Sequence, residues 1–153
     1  MKVEYINPFI KATTEVFKTM LNTEIKTGKP YIKASPFTAD SLMIMVGITG
    51  EIRGQASITM NAELAKKVAS TTMMGMPVEE LDELSKSALS ELANMIMGNS
   101  ATLLFNAGVN IDITPPTLMM GENMQVSAGS MRTVCVPLSC ELGEINLDVS
   151  VKE

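Results

Sequence analysis

The chain has 153 residues, 46% of them apolar and 19% charged, a composition that builds one packed domain over residues 1–153 and excludes a disordered or fibrous chain. Seventeen acidic residues against twelve basic ones leave a formal charge of −5 with no basic block, so no nucleic-acid partner is expected. Histidine is absent, which removes His-based acid–base chemistry, the Ser-His-Asp triad and any His-containing zinc site.

The N-terminal stretch from Met1 to Phe9 lacks the basic flank and apolar run of an export signal, and no apolar segment reaches the length of a membrane span. Cys135 and Cys140 are the two cysteines, and without a secretory signal they read as reduced residues of one strand. A cytoplasmic protein with no membrane partner is expected. The fourteen methionines read mainly as flexible core filler and imply no cofactor.

In chain order, Phe9, Ile10, Val16, Phe17, Met20 and Leu21 recur at helical spacing, which predicts a helix over Asn7 to Leu21 with Pro8 in its first turn. Thr27 to Pro30 breaks it, Tyr31 to Ala34 reads as a short strand, and Ser41 to Gly47 with Gly54 to Met60 read as a hairpin. Asn61 caps a second helix that Gly75 stops. A longer helix is predicted from about Glu79 to Asn106, and after it Asn110 to Thr114, Met124 to Ser130, Arg132 to Ser139 and Ile145 to Val151 alternate as strands.

The order suggests a duplication. Ile32 to Pro36 after the first helix answers Ile111 to Pro115 after the long one, and Gly50-Glu51-Ile52 answers Cys140-Glu141-Leu142 before a final strand. A duplicated helix-plus-strands unit favours an α/β architecture of the α+β type, with one mixed β-sheet and the helices packed on one face.

The long helix carries the chemistry. At about 100° per residue, Leu81, Leu84, Ala88, Leu92, Met95, Ile96 and Leu103 form the arc expected to face the sheet. Ser87, Glu91, Asn94 and Gly98 fall in a narrow stripe beside it, so Glu91 and Asn94 project side by side. Ser90, Gly98 and Ala101 are small and leave room for another molecule, and Gly98 costs about 1 kcal/mol against alanine inside a helix. Taken alone, the wheel fits an ordinary solvated face as well as a site. Without histidine or a cluster of carboxylates at ligand spacing, no metal site of the chain's own is expected. A carboxylate and a carboxamide suit a reaction whose metal and electrophile arrive with a partner.

The Ser87-x-x-x-Glu91-x-x-Asn94 spacing, followed by Asp112 to Thr117 with its Pro115-Pro116 pair and preceded by Lys26 to Pro30, resembles the CheC/CheX/FliY phosphatases of bacterial chemotaxis along essentially the whole chain. One copy of the motif in a short chain is similar to the CheX branch, since CheC relatives usually carry the Glu and Asn pair twice. The resemblance implies a CheC-like fold, a homodimer joined through sheet edges, and a phosphatase acting on phosphorylated CheY, a response regulator that brings its own Mg²⁺. It implies that Glu91 binds a lysine of the regulator and Asn94 holds the attacking water, with Ser87, Ser90, Met97 and Gly98 around them against the partner. No equivalent pair is placed in the first helix, so only the second half is expected to be catalytic. Ala93, where the family often has glycine, and Met97, where a small residue is common, depart from the pattern. Met97 is expected at the edge of the stripe, touching the partner. The competing reading is a noncatalytic module that docks a response regulator or flagellar-switch component through the same helix.

Overall fold

The computed structural model describes residues 2–39 and 41–153. Helix α1 (Val3–Leu21) is followed by β1 (Lys26–Thr27), β2 (Tyr31–Lys33), β3 (Phe37–Ala39), β4 (Leu42–Gly50) and β5 (Arg53–Met60). Helices α2 (Ala62–Thr72) and α3 (Glu83–Asn106) come next, then β6 (Ile111–Ile113), β7 (Thr117–Met120), β8 (Met124–Val126), β9 (Thr133–Cys140) and β10 (Gly143–Lys152).

The helix starts follow local chemistry. Asn61 Oδ1 accepts the Leu64 N–H at 2.7 Å and opens α2 as expected. In α3 the cap is Asp82, whose carboxylate accepts the Ser85 N–H at 2.9 Å and its hydroxyl at 2.8 Å, so the helix begins at Glu83 rather than near Glu79. Helix α1 begins at Val3, four residues before the expected Asn7, and Pro8 therefore lies inside it. Tyr5 and Ile6 are buried together with Phe9, so the apolar face extends past the proline. The Tyr5 hydroxyl donates to Glu153 at 2.7 Å, and Lys2 pairs with the same carboxylate at 3.1 Å.

The main sheet runs β1-β9-β10-β5-β4-β6, with β2 also on β9 and β7 also on β4. Among the described residues its ladders are antiparallel throughout, and β3 pairs with β8 in a separate two-stranded ribbon. The expected mixed sheet is thus an antiparallel sheet plus a ribbon. Ile44, Ile58 and Met60 meet Phe17 of α1 and Leu89, Leu92, Ala93 and Ile96 of α3 in the core between sheet and helices. The reverse face is also buried and largely polar, with Ser57, Thr59, Thr133, Asp148 and Ser150 inside beside Met43 and Cys135. Thr133 and Ser150 share a 2.7 Å hydrogen bond. Lys33 reaches Asp148 at 2.9 Å and lies 4.6 Å above the Phe37 ring, which ties the ribbon to that face.

The two halves are related by an approximate two-fold axis between the paired central strands β5 and β10. The last residue of β2, Lys33, pairs with the first of β9, Thr133, and the last of β7, Met120, pairs with the first of β4, Leu42. The edge strands β1 and β2 on β9 therefore correspond to β6 and β7 on β4. Lys33 and Met120 are 87 positions apart (120 minus 33), as are Phe37 and Met124, which open the two ribbon strands. The duplication is present, and the turn at Gly50-Glu51-Ile52 does correspond to that at Cys140-Glu141-Leu142. The expected match of Ile32–Pro36 with Ile111–Pro115 is corrected: β2 answers β7, because the true equivalence is set by ladder register rather than by local likeness.

Candidate functional site

The buried face of α3 consists of Ser85, Leu89, Leu92, Ala93, Ile96, Met97, Ser100 and Leu104, rotated about one position from the expected arc. Leu84, assigned to that arc, is 58% exposed, and Ala88, Met95 and Leu103 are half-buried. Two buried serines cause the difference. Ser85 is satisfied by Asp82 and Ser100 by the Ile96 carbonyl at 2.8 Å, so polar side chains enter the core at no loss of hydrogen bonding. Their small size lets the helix sit close to its neighbours.

This rotation corrects one expected site residue. Met97 is 0% exposed and belongs to the core, so it does not meet a partner. Ala93 is also buried, against the sheet, and its departure from the family's glycine is a packing matter. The remaining stripe faces outward: Ser87, Glu91 and Asn94 are exposed, and Ser90 and Gly98 are half-buried. Residues three apart on a helix are neighbours, about 5–6 Å between Cβ atoms, so Glu91 and Asn94 present their functional groups together. Among the described residues neither side chain is engaged in a hydrogen bond or ion pair. A Cβ added at Gly98 would meet nothing within 4 Å, so no part of this chain requires the glycine.

Ser87 and Ser90 line an open groove with Glu83, Lys86, Leu118 and Met120. The latter four were not singled out from sequence. Leu118 and Met120 enter because β7 runs along β4 beside the start of α3, a long-range placement with no local signal. The Pro115-Pro116 segment serves that placement: the Thr114 hydroxyl accepts the Gly47 N–H at 2.7 Å and Thr114 N–H donates to the Gly47 carbonyl, carrying the chain along the β4 edge. Gly28 in the Lys26–Pro30 segment is structural too, since a Cβ there would lie 2.9 Å from the Pro137 ring.

Other chemistry is weak. Among the described residues no three His, Cys, Asp or Glu side chains are grouped to hold a metal. Burial pushes the Cys135 thiol up to about 11, which removes it as a nucleophile at neutral pH. Among the described residues no helix is long and apolar enough to cross a membrane. The site is therefore a free carboxylate and a free carboxamide beside a groove, suited to gripping a cation and orienting a water on a partner molecule.

The family described as chemotaxis phosphatase CheX matches residues 42–139. The CheY-P phosphatase CheX of Thermotoga maritima is 38% identical over 128 residues, covering 84% of this chain and 83% of that protein. A CheC-like superfamily protein from Shewanella sp. PV-4 superposes with a TM-score of 0.90 at 28% identity over 100% of both chains. The CheX chain in a CheX-CheY-BeF3-Mg²⁺ complex from Borrelia burgdorferi gives a TM-score of 0.84 at 31% identity, covering 99% of this chain and 100% of that one. With that fold and that exposed helix, the chain belongs to the CheX family of chemotaxis phosphatases.

Proposed function

We propose that the protein accelerates hydrolysis of the aspartyl phosphate on a CheY-type response regulator, in chemotaxis or related two-component signalling. The observation that carries this reading is the exposed, unengaged Glu91 and Asn94 pair on α3 in a chain 38% identical to a CheY-P phosphatase. The regulator supplies the electrophile with its own Mg²⁺, and the chain contributes positioning. Glu91 holds a lysine ammonium of the regulator through a charge-assisted contact. Asn94 both accepts from and donates to water, fixing one molecule in line with the phosphorus. The water oxygen bonds to phosphorus as the bond from phosphorus to the aspartyl oxygen breaks. The aspartate leaves as carboxylate, and both water protons depart with inorganic phosphate. Ser87, Ser90 and Gly98 form the surface the regulator meets, and the open space over Gly98 admits its backbone. The working form is a cytoplasmic homodimer joined through sheet edges.

Decay of the phosphorylated regulator, followed with and without the protein, tests the reading. Glu91→Ala should weaken capture by about 1.5–3 kcal/mol, the worth of a hydrogen bond to a charged group. Asn94→Ala should slow the accelerated decay about a hundredfold, as expected when a reactant loses its positioning, while binding of a beryllofluoride-loaded regulator persists. A docking module without catalysis gives decay no faster than that of the regulator alone even with the unmodified protein, and that outcome rejects the phosphatase.

A further inference from the structure

Helix α1, which begins at Val3, does hold a Glu-x-x-Asn pair of its own, Glu4 and Asn7, contrary to the expectation from sequence. What α3 adds is the open groove along its first turns, between Lys86, Ser87 and Ser90 on the helix and Leu118 and Met120 on β7. Strand alternation explains the apolar side of that groove. Leu118 and Met120 pair with Ile44 and Leu42 and lie on the helix-bearing face, whereas Met119 between them pairs with Met43 on the reverse face. Leu118 rests against the core, but Met120 is 47% exposed, a large apolar side chain left uncovered at the groove.

The polar side is equally unengaged. Ser85, Ser100 and Thr102 of the same helix donate to carbonyls of the cap or of the preceding turn, whereas among the described residues the Ser87 and Ser90 hydroxyls have no hydrogen-bond partner. Lys86 is the charge that belongs to the groove. Its side chain is one-third exposed, while Glu83, its partner at 3.6 Å, stands almost wholly in water. Such a pair contributes little, and the ammonium keeps donors for a carboxylate from outside.

Resting on the phosphatase reading of α3, we propose that this groove is the specificity subsite of the reaction: it takes a surface segment of the response regulator in which an apolar side chain stands beside a carboxylate, while Glu91 and Asn94 hold the phosphorylated pocket. Continuity with the catalytic stripe favours that occupant over a second copy of this chain. Ser87 lies one turn before Glu91 and Ser90 one turn before Asn94, about 6 Å along the helix axis, so a folded regulator held at the pair covers the groove as well. Met120 adapts its unbranched side chain to the apolar residue, and Ser87 and Ser90 supply donors to the segment's backbone carbonyls. Lys86 sets the sign of the charge accepted, because a regulator with lysine or arginine there meets a like charge.

The test uses the full chain, a phosphorylated CheY-type regulator that the unmodified protein dephosphorylates, and the same regulator loaded with beryllofluoride and Mg²⁺ for the binding arm. Met120→Lys and Lys86→Glu should each raise KM and weaken capture about tenfold, the scale of an interface anchor, with kcat at saturating regulator held by Glu91 and Asn94. In the specificity arm, carboxylates around the regulator's phosphorylation site are replaced one at a time by lysine, leaving its phosphoacceptor and Mg²⁺ ligands in place. One replacement should weaken capture by the unmodified protein and restore capture by the Lys86→Glu variant. Circular dichroism checks the fold of each variant. Unchanged KM in both variants, a loss confined to kcat, or failure of every replacement to rescue Lys86→Glu rejects the subsite while the α3 site stands. A fall in mass by light scattering that accompanies the lost capture makes the groove a contact between copies of this chain, and rejects the subsite likewise. If the unmodified protein accelerates nothing, the phosphatase reading itself fails, and the subsite with it.

Discussion

Met97 and Asn94 sit three positions apart on α3 and serve opposite ends. Asn94 is exposed and unengaged, whereas Met97 is wholly buried. Their contrast is measurable. Met97→Ala should destabilise the protein by about 2–5 kcal/mol through lost burial and the cavity left behind. Ser87→Ala, on the exposed stripe, should change stability by no more than about 0.5 kcal/mol. Urea unfolding of both variants checks this, and a Met97→Ala value as small as that of Ser87→Ala would return Met97 to the surface. The helical period was enough to bring Glu91 and Asn94 onto one exposed stripe, because both fall well away from the apolar positions. It could not fix Met97, because apolar residues occupy most of the wheel between Met95 and Phe105 and two serines are buried, Ser85 on the Asp82 cap and Ser100 on the Ile96 carbonyl.

At the scale of elements, legibility followed length and capping. β5, β9 and β10 alternate over eight or more residues, and Asn61 advertises the start of α2. β1, β3 and β7 span two to four residues and exist because a longer strand or a ribbon partner lies alongside, a relation no local pattern encodes. The miss that mattered was the start of α1. Placing Pro8 in the first turn is sound local reasoning, but the burial of Tyr5 and Ile6 carries the helix through it. The cap of α3 gives a pH-dependent test. The Ser85 N–H and hydroxyl hold the Asp82 carboxyl below its usual range. A depressed carboxyl stabilises the fold at pH values above its unfolded pKa, about 3.9, and that contribution is lost as pH falls through the lower folded value. Asp82→Ala should therefore lower Tm at neutral pH, and the gap from the unmodified protein should close as pH drops below about 4. Thermal melts across that range check it, and a gap that persists in acid would separate the cap from the titration.

For the molecule as a whole, the approximate two-fold axis leaves the sheet with two related edges, β1 with β2 and β6 with β7. Unpaired edge strands recruit other chains unless they carry charge, proline or cover. The two edges differ in that protection. Pro115 and Pro116 precede β7, and the groove beside α3 uses its Met120, so a second copy there would crowd the proposed regulator surface. On the other edge, Tyr31 and Ile32 are exposed at 50% and 58%. The one charge of β2, Lys33, is turned inward to Asp148 and no longer guards the strand. The homodimer proposed above should therefore form through the β2 edge, leaving the Glu91 and Asn94 stripe of α3 outside the contact. Light scattering should give twice the chain mass, and Ile32→Lys should return it to a single chain mass by placing a charge on the joined edge. Phosphatase activity of the Ile32→Lys variant should persist, because α3 and its groove lie against β7 at the opposite edge. A unmodified protein that stays monomeric at tens of micromolar would reject the dimer without touching the catalytic assignment. A dimer that survives Ile32→Lys but blocks capture of the regulator would place the contact on β7 instead.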